Sequence, residues 1–222
     1  MHSKPGLVLA FILLGGVLPA CVSTTPSASS PATPNDEGLV PTTVKNIDKA
    51  WKRPDASLAG YRRILLRPIT VAFARHWNPR DYGTYGLTSQ EVEKIRSSLS
   101  ALAQETFARV LARGGYEVVT TPGEDVLEVE AQIFDLYVNA PETRSASIEH
   151  VYVLSAGEMR ILATLRDSIT GTALYRASDF KRGQETGQLE WANSAWNRSE
   201  AERALTGWAN QLKNALDAAR AP

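Results

Sequence analysis

Residues 88–138 read TSQEVEKIRSSLSALAQETFARVLARGGYEVVTTPGEDVLEVEAQIFDLYV. The apolar spacing inside this stretch changes from three and four to two, and that change sets the fold class. Thr88-Ser89-Gln90-Glu91 is a capping box, in which the Thr88 hydroxyl and the Glu91 carboxylate each satisfy an orphan backbone donor, so a helix starts here. Val92, Ile95, Leu99, Leu102, Thr106 and Val110 recur on one helical face, widened by Phe107 and Leu111. Gly114-Gly115 ends the run, with Arg109 and Arg113 in the last turns where cations complement the helix dipole. Beyond the short β-prone run Tyr116 to Thr120 and the turn Thr121-Pro122-Gly123, Leu127, Val129, Ala131 and Ile133 alternate with Glu128, Glu130 and Gln132, the pattern of a half-buried strand. Glu128 and Glu130 then form a solvated face, a better reading than a catalytic pair, whose two acids would converge in a cleft.

Upstream, Tyr61–Phe73 (YRRILLRPITVAF) predicts one strand. Pro68 cannot donate to a ladder and so implies an edge position or a bulge. His76 to Gly86 (HWNPRDYGTYG) reads as an irregular loop. Downstream, Met159, Ile161, Ala163 and Leu165 alternate, Asp167 to Gly171 supplies a turn, and Thr172 to Phe180 completes a hairpin. Ser199 and Glu202 suggest the start of a last helix with Ala201, Ala204, Leu205, Trp208, Leu212, Ala215 and Leu216 on one face. The order predicts an α/β (α+β) fold, a two-layer sandwich of a mainly antiparallel sheet with two amphipathic helices.

The first twenty residues belong to something else. A short start containing Lys4 precedes the apolar run Leu7 to Val17, which has signal-peptide length and is too short to span a membrane. It ends in Leu18-Pro19-Ala20-Cys21, which resembles the bacterial lipobox. Small side chains suit the processing subsites, and Cys21 offers a thiol for diacylglycerol and, after cleavage between Ala20 and Cys21, an α-amine for a further acyl chain. One chain binds marginally, and at about 0.8 kcal/mol per buried CH₂ two or three hold firmly. A covalent lipid on Cys21 is the only attached group expected, with no other cofactor. Val22 follows where an aspartate would favour the inner membrane, so the outer membrane is favoured, with the domain facing the periplasm. Residues 22–44 are Ser/Thr/Pro/Ala-rich and read as a disordered tether. The expected organisation is a signal peptide over 1–20, a lipidated cysteine and linker over 21–45, and one domain over 46–222.

The chain has 222 residues, one cysteine, and 24 basic against 24 acidic residues. Without Lys4 the mature chain keeps 23 basic residues, a balance that disfavours nucleic acid, whose phosphates demand a basic excess. A lone cysteine rules out an intrachain disulfide, so the fold rests on its core. His76 and His150 are the mature chain's only histidines, far apart in sequence and without a thiol, which disfavours a zinc site. No nucleophile elbow, P-loop or dinucleotide fingerprint occurs, so neither catalytic nor metal residues are assigned and a non-enzyme is favoured over an envelope enzyme with a dispersed site or a purely structural envelope component. The aromatic loop His76, Trp77, Tyr82 and Tyr85 is the candidate partner-binding surface, with Trp191 and Trp196 second. The competing and favoured reading makes these aromatics covers for the sheet edge or caps over the core.

Several segments together resemble the DUF3313 family of bacterial lipoproteins of unknown function. They are the Cys21 lipobox, the Tyr61–Phe73 strand with Pro68, Gly115 to Val119 leading to Pro122 to Leu127, the Leu165 to Gly171 turn, and Trp208-Ala209. The resemblance implies an envelope location and a fold type, and carries no active-site residues. The function expected is that of a membrane-anchored envelope lipoprotein acting as a periplasm-facing binding or assembly module. Its partners would be the membrane, through the lipid, and an envelope protein or cell-wall component.

Overall fold

The computed structural model describes residues 37–82, 86–139, 152–153, 155–183, 190–191 and 194–220. The strands are β1 (Val40–Thr42), β2 (Lys49–Lys52), β3 (Arg63–Leu66), β4 (Thr70–Phe73), β5 (Glu117–Val119), β6 (Val126–Val138), β7 (Tyr152–Val153), β8 (Gly157–Asp167), β9 (Ala173–Arg182) and β10 (Glu190–Trp191). The helices are α1 (Ser89–Arg113) and α2 (Ser194–Arg220). Eight strands form one open sheet in the order β1-β2-β9-β8-β6-β3-β5, with β4 also on β6, while β7 and β10 pair separately. The β1–β2, β2–β9, β8–β9 and β6–β8 ladders are antiparallel, and β3–β5, β3–β6 and β4–β6 are parallel. The chain is thus an α+β fold with a mostly antiparallel sheet, as its periodicities predict. The parallel part needs a crossover between β4 and β5, and α1 supplies it.

Alternation along β6 sorts the two faces. Leu127, Val129, Ala131 and Ile133 are buried and join Met159, Ile161 and Leu165 of β8 with Leu99, Leu102, Phe107 and Leu111 of α1 and Leu205, Trp208 and Leu216 of α2 in one core. The helices pack on each other and on this face, while Glu128, Glu130 and Gln132 point the other way. Thr88 caps α1 as its sequence demands: its hydroxyl accepts from the Glu91 amide at 3.2 Å and the Glu91 carboxylate accepts from the Thr88 amide at 2.8 Å. Gly115, at φ +81°, turns the chain out of the helix into β5.

Three expectations are corrected. Tyr61–Phe73 is two strands, not one, and β3 lies between β6 and β5 instead of at an edge. Pro68 is accommodated by the interruption, where α1 replaces the missing ladder: the Ile69 amide donates to Gln104 Oε1 at 3.2 Å and Ser100 Oγ donates to the Ile69 carbonyl. The last helix begins at Ser194, five residues before Ser199. Glu202 does not serve as a cap because its carboxylate pairs with Arg109 of α1 at 2.6 Å, a tertiary bond that outcompetes the local one. Finally, the sheet begins inside the stretch read as tether. Val40 to Thr42 pairs with β2 despite its proline, which an edge strand tolerates, and Leu39 is buried.

Two positions expose the tolerances of this packing. Thr106 is fully buried on α1, yet its hydroxyl has no hydrogen-bond partner among the described residues. Thr106→Val should therefore raise stability by about 1 kcal/mol, the cost of an unsatisfied buried hydroxyl, read as a higher urea midpoint at unchanged slope. Gly157 sits at φ +139° where β8 meets the irregular end of β6, and an added Cβ would fall 2.0 Å from the Tyr137 carbonyl oxygen. Gly157→Ala should cost about 3 kcal/mol or more by the same urea titration, because the backbone itself must move.

Candidate functional site

The helix-free face of the sheet gathers the charges that β6, β8 and β9 point away from the core. Glu128 of β6 lies opposite Arg166 of β8, Glu130 opposite Thr164, and Thr164 opposite Arg176 of β9. Arg67, in the gap between β3 and β4, reaches Glu128 at 2.9 Å. A shallow open depression lined by Arg67, Pro68, Thr70, Glu128, Glu130 and Gln132 lies where that gap opens.

The centre of this face is an arginine pair holding one acid. Arg166 grips Glu37 with both terminal nitrogens, Nη1 to Oε2 at 2.7 Å and Nη2 to Oε1 at 3.1 Å, and Arg176 Nη2 adds a third bond to Oε1 at 2.6 Å. Arg166 also touches Glu130 at 3.3 Å and donates to the Gly171 carbonyl, and Arg176 Nε donates to Thr164 Oγ1 at 3.1 Å. The Arg176 side chain is only 4% exposed. A buried guanidinium needs acceptors to offset lost hydration, yet its Nη1 has none among the described residues. Arg53 donates to the Glu37 carbonyl through Nη2 and to the Ala173 carbonyl through Nε at 2.7 Å, fixing the chain on either side. The hydrogen bonds from Arg166 hold the Glu37 carboxyl below its ordinary pKa, against the opposing effect of burial and with further help from Arg176.

Two members of the aromatic loop, Trp77 and Tyr82, pack inward. Trp77 is buried, stacks on Phe73 at 4.1 Å between ring centroids, and donates its indole N–H to the Val138 carbonyl at 3.1 Å. Tyr82 donates to the same carbonyl at 2.7 Å, and burial, then hydrogen bonding to Tyr137, pushes its hydroxyl up to about 12. His76 is exposed and stacks on Tyr137 at 5.2 Å. Tyr85 and His150 lie outside the described residues, as do Ala20 and Cys21. Trp196 is half-buried on α2, and Trp191 lies in β10. Among the described residues no group of three His, Cys, Asp or Glu is arranged to hold a metal ion, and no helix is long and apolar enough to cross a membrane.

Nothing in the sequence singles out Arg166 and Arg176, because their partner Glu37 lies 129 and 139 residues away, inside the presumed tether. A second polar tie was also missed. Asp179, 2% exposed on the helix side of β9, accepts from the Trp208 indole at 2.8 Å and the Asp48 amide at 3.1 Å and pairs with Lys181 at 2.8 Å. Burial pushes its carboxyl up, but Lys181, the Trp208 indole and the Asp48 amide outweigh that and leave it lowered.

The family model of proteins of unknown function DUF3313 matches residues 32–212, most of the chain. The chain belongs to the DUF3313 family. The matched region starts before Glu37, so the arginine pair and its acid both fall within it. No curated protein matches this DUF3313 chain. Among solved structures, protein XCC0632 from Xanthomonas campestris, described as DUF330, is 12% identical with a TM-score of 0.42, covering 79% of this chain and 91% of its own. A PelC dodecamer from Paraburkholderia phytofirmans is 10% identical with a TM-score of 0.38, covering 79% and 96%.

Because Glu37 has a lowered pKa when folded, its contribution to holding residues 37–42 is fully present above the ordinary carboxylate range and is lost as pH falls through the folded value. Hydrogen exchange at the amides of Leu39, Val40 and Thr42 should therefore accelerate as the solution is acidified below about pH 4.3, after correction for intrinsic exchange rates. The Glu37→Gln chain should lack that step, and an identical acid profile in both chains would assign the protection to other groups.

Proposed function

We propose that this DUF3313 chain is a lipid-anchored bacterial envelope protein, cut between Ala20 and Cys21 and held in the outer membrane, whose domain faces the periplasm. There it acts as a binding or assembly module for an envelope protein or cell-wall component. The observation that carries this reading is the sequence Leu18-Pro19-Ala20-Cys21 at the end of an apolar leader, with the only cysteine of the chain at the one position where a thiol and a new α-amine are both useful. The Ser/Thr/Pro-rich stretch that follows suits a spacer between bilayer and domain.

The polar sheet face favours binding as the task of the domain. Its acids and bases are fixed against each other in a broad, shallow surface, and directional ion pairs of this kind give specificity to recognition. In the aromatic loop Trp77 is buried while His76 is exposed and open to a partner.

Cells expressing the wild-type chain and grown with labelled palmitate should show the label on the protein and the protein in the outer-membrane fraction. Cys21→Ser should abolish the label and leave the leader uncleaved. Equal labelling of both chains, or release of the wild-type chain in soluble form, would overturn the anchor.

A further inference from the structure

We propose that the Arg166–Arg176 pair is a carboxylate-binding site closed in cis by residues 37–42, and that its ligand is an extended acidic segment of a partner protein which replaces this strap. The inference rests on the binding-module reading and names the chemistry of its partner. Four observations carry it.

The site has more donors than its occupant satisfies. Arg166 uses both terminal nitrogens on Glu37, but Arg176 contributes one bond to that acid and one to Thr164, leaving Nη1 buried and unpaired among the described residues. A guanidinium so deeply buried presents a fixed fork that fits a carboxylate in two-point contact, and Glu37 does not fill it.

The local charge favours an acid. Arg53, Arg166 and Arg176 converge on the Glu37 residue, and among the described residues the other acid paired with them, Glu130, is 60% exposed at the side chain and 3.3 Å from Arg166. Removing Glu37 would leave two guanidiniums beside one solvated carboxylate, an environment that attracts a replacement anion.

The occupant is lightly held. The strand β1 is three residues long, all exposed, and pairs only with β2. Beyond that ladder the segment is attached by the buried Leu39, by the half-buried Glu37 carboxylate and by the Arg53 bond to the Glu37 carbonyl. Segments with few apolar contacts and exposed ladders open at the low end of the stability range.

Lifting the strap uncovers a matching template. Four residues of β2 stay paired with β9, with Trp51 opposite Arg176, so the vacated edge of β2 would lie beside the freed arginines. A strand edge next to a charged socket is the arrangement for adding an extended peptide, with main-chain bonds supplying affinity and the socket supplying selectivity.

The test uses the mature full-length chain in detergent and two synthetic peptides: DEGLVPTTV, the sequence of residues 36–44, and its counterpart with glutamine in place of the glutamate. The Glu37→Gln chain, whose own strap competes weakly, should bind the acidic peptide at least tenfold tighter than the wild-type chain does, and the glutamine peptide at least tenfold more weakly than the acidic one. Adding Arg166→Gln should erase the distinction between the peptides. Equal affinity of the Glu37→Gln chain for both peptides would overturn the proposal. The wild-type chain gives a check that needs no variant: saturating acidic peptide should raise deuterium uptake across residues 37–42 while leaving residues 127–133 unchanged, and no change there would also overturn it. These readouts are independent of lipid attachment. A chain that carries palmitate but ignores the peptide loses this inference and keeps its envelope role, and one that prefers the peptide without lipid does the reverse.

Discussion

Two-residue alternation along β6 from Leu127 to Ile133 is the constraint on which the rest of the molecule depends. This strand of 13 residues is paired on one edge with β8 and on the other with β3 and then β4. A slip of one residue would exchange its two faces, setting Glu128 and Glu130 against α1 and α2 and turning Val129 and Ile133 out to water. Burying the aliphatic face against two helices is worth roughly 1.5 to 3 kcal/mol for each large side chain, whereas burying an unpaired carboxylate is strongly unfavourable. Register is therefore settled by β6, and its neighbours inherit their faces from it. One side of the sheet becomes a dry platform for helices and the other a lattice of paired charges.

The elements legible in the sequence are those whose determinants are local. The Thr88 capping box, the α1 stripe, the β6 alternation and the Asp167 to Gly171 turn each need only neighbours within a few residues, and each is where it was expected. What escaped was decided at long range. Tyr61–Phe73 has the composition of a continuous strand, and only contact with Gln104 and Ser100 of α1 makes its interruption at Pro68 affordable. The start of α2 was obscured by Glu202, a residue that looks like a cap and acts as a bridge to Arg109. Residues 37–45 carry tether-like composition, and β1 gains order from β2 and from arginines far along the chain.

The candidate site was legible only in outline. Arg166 and Arg176 lie in strand-like sequence, and charged residues on the open face of a sheet are ordinary solvated residues until an acid from elsewhere is laid across them. In the aromatic loop the sequence left a binding surface and a cover as alternatives, with the cover favoured. Trp77 and Tyr82 look like interface anchors by type, but both hydroxyl and indole N–H are directed to one carbonyl, Val138, and Trp77 is shut inside a small core of its own with Ala74 and Leu87. Residue type identifies groups that require a partner, and the tertiary structure determines whether the partner is internal.

Where Glu37 is held also sets how the domain would bear a pull. Tension applied to the chain from before residue 37 would meet the described structure first at Glu37. The ion pairs with Arg166 and Arg176 would take the load first, before any sheet ladder or the helix-covered core. Yielding there would pay out the few residues of β1 as slack while the remaining strands stay in register. The clasp would thus act as a mechanical fuse, yielding slack under strain without unfolding the body it secures.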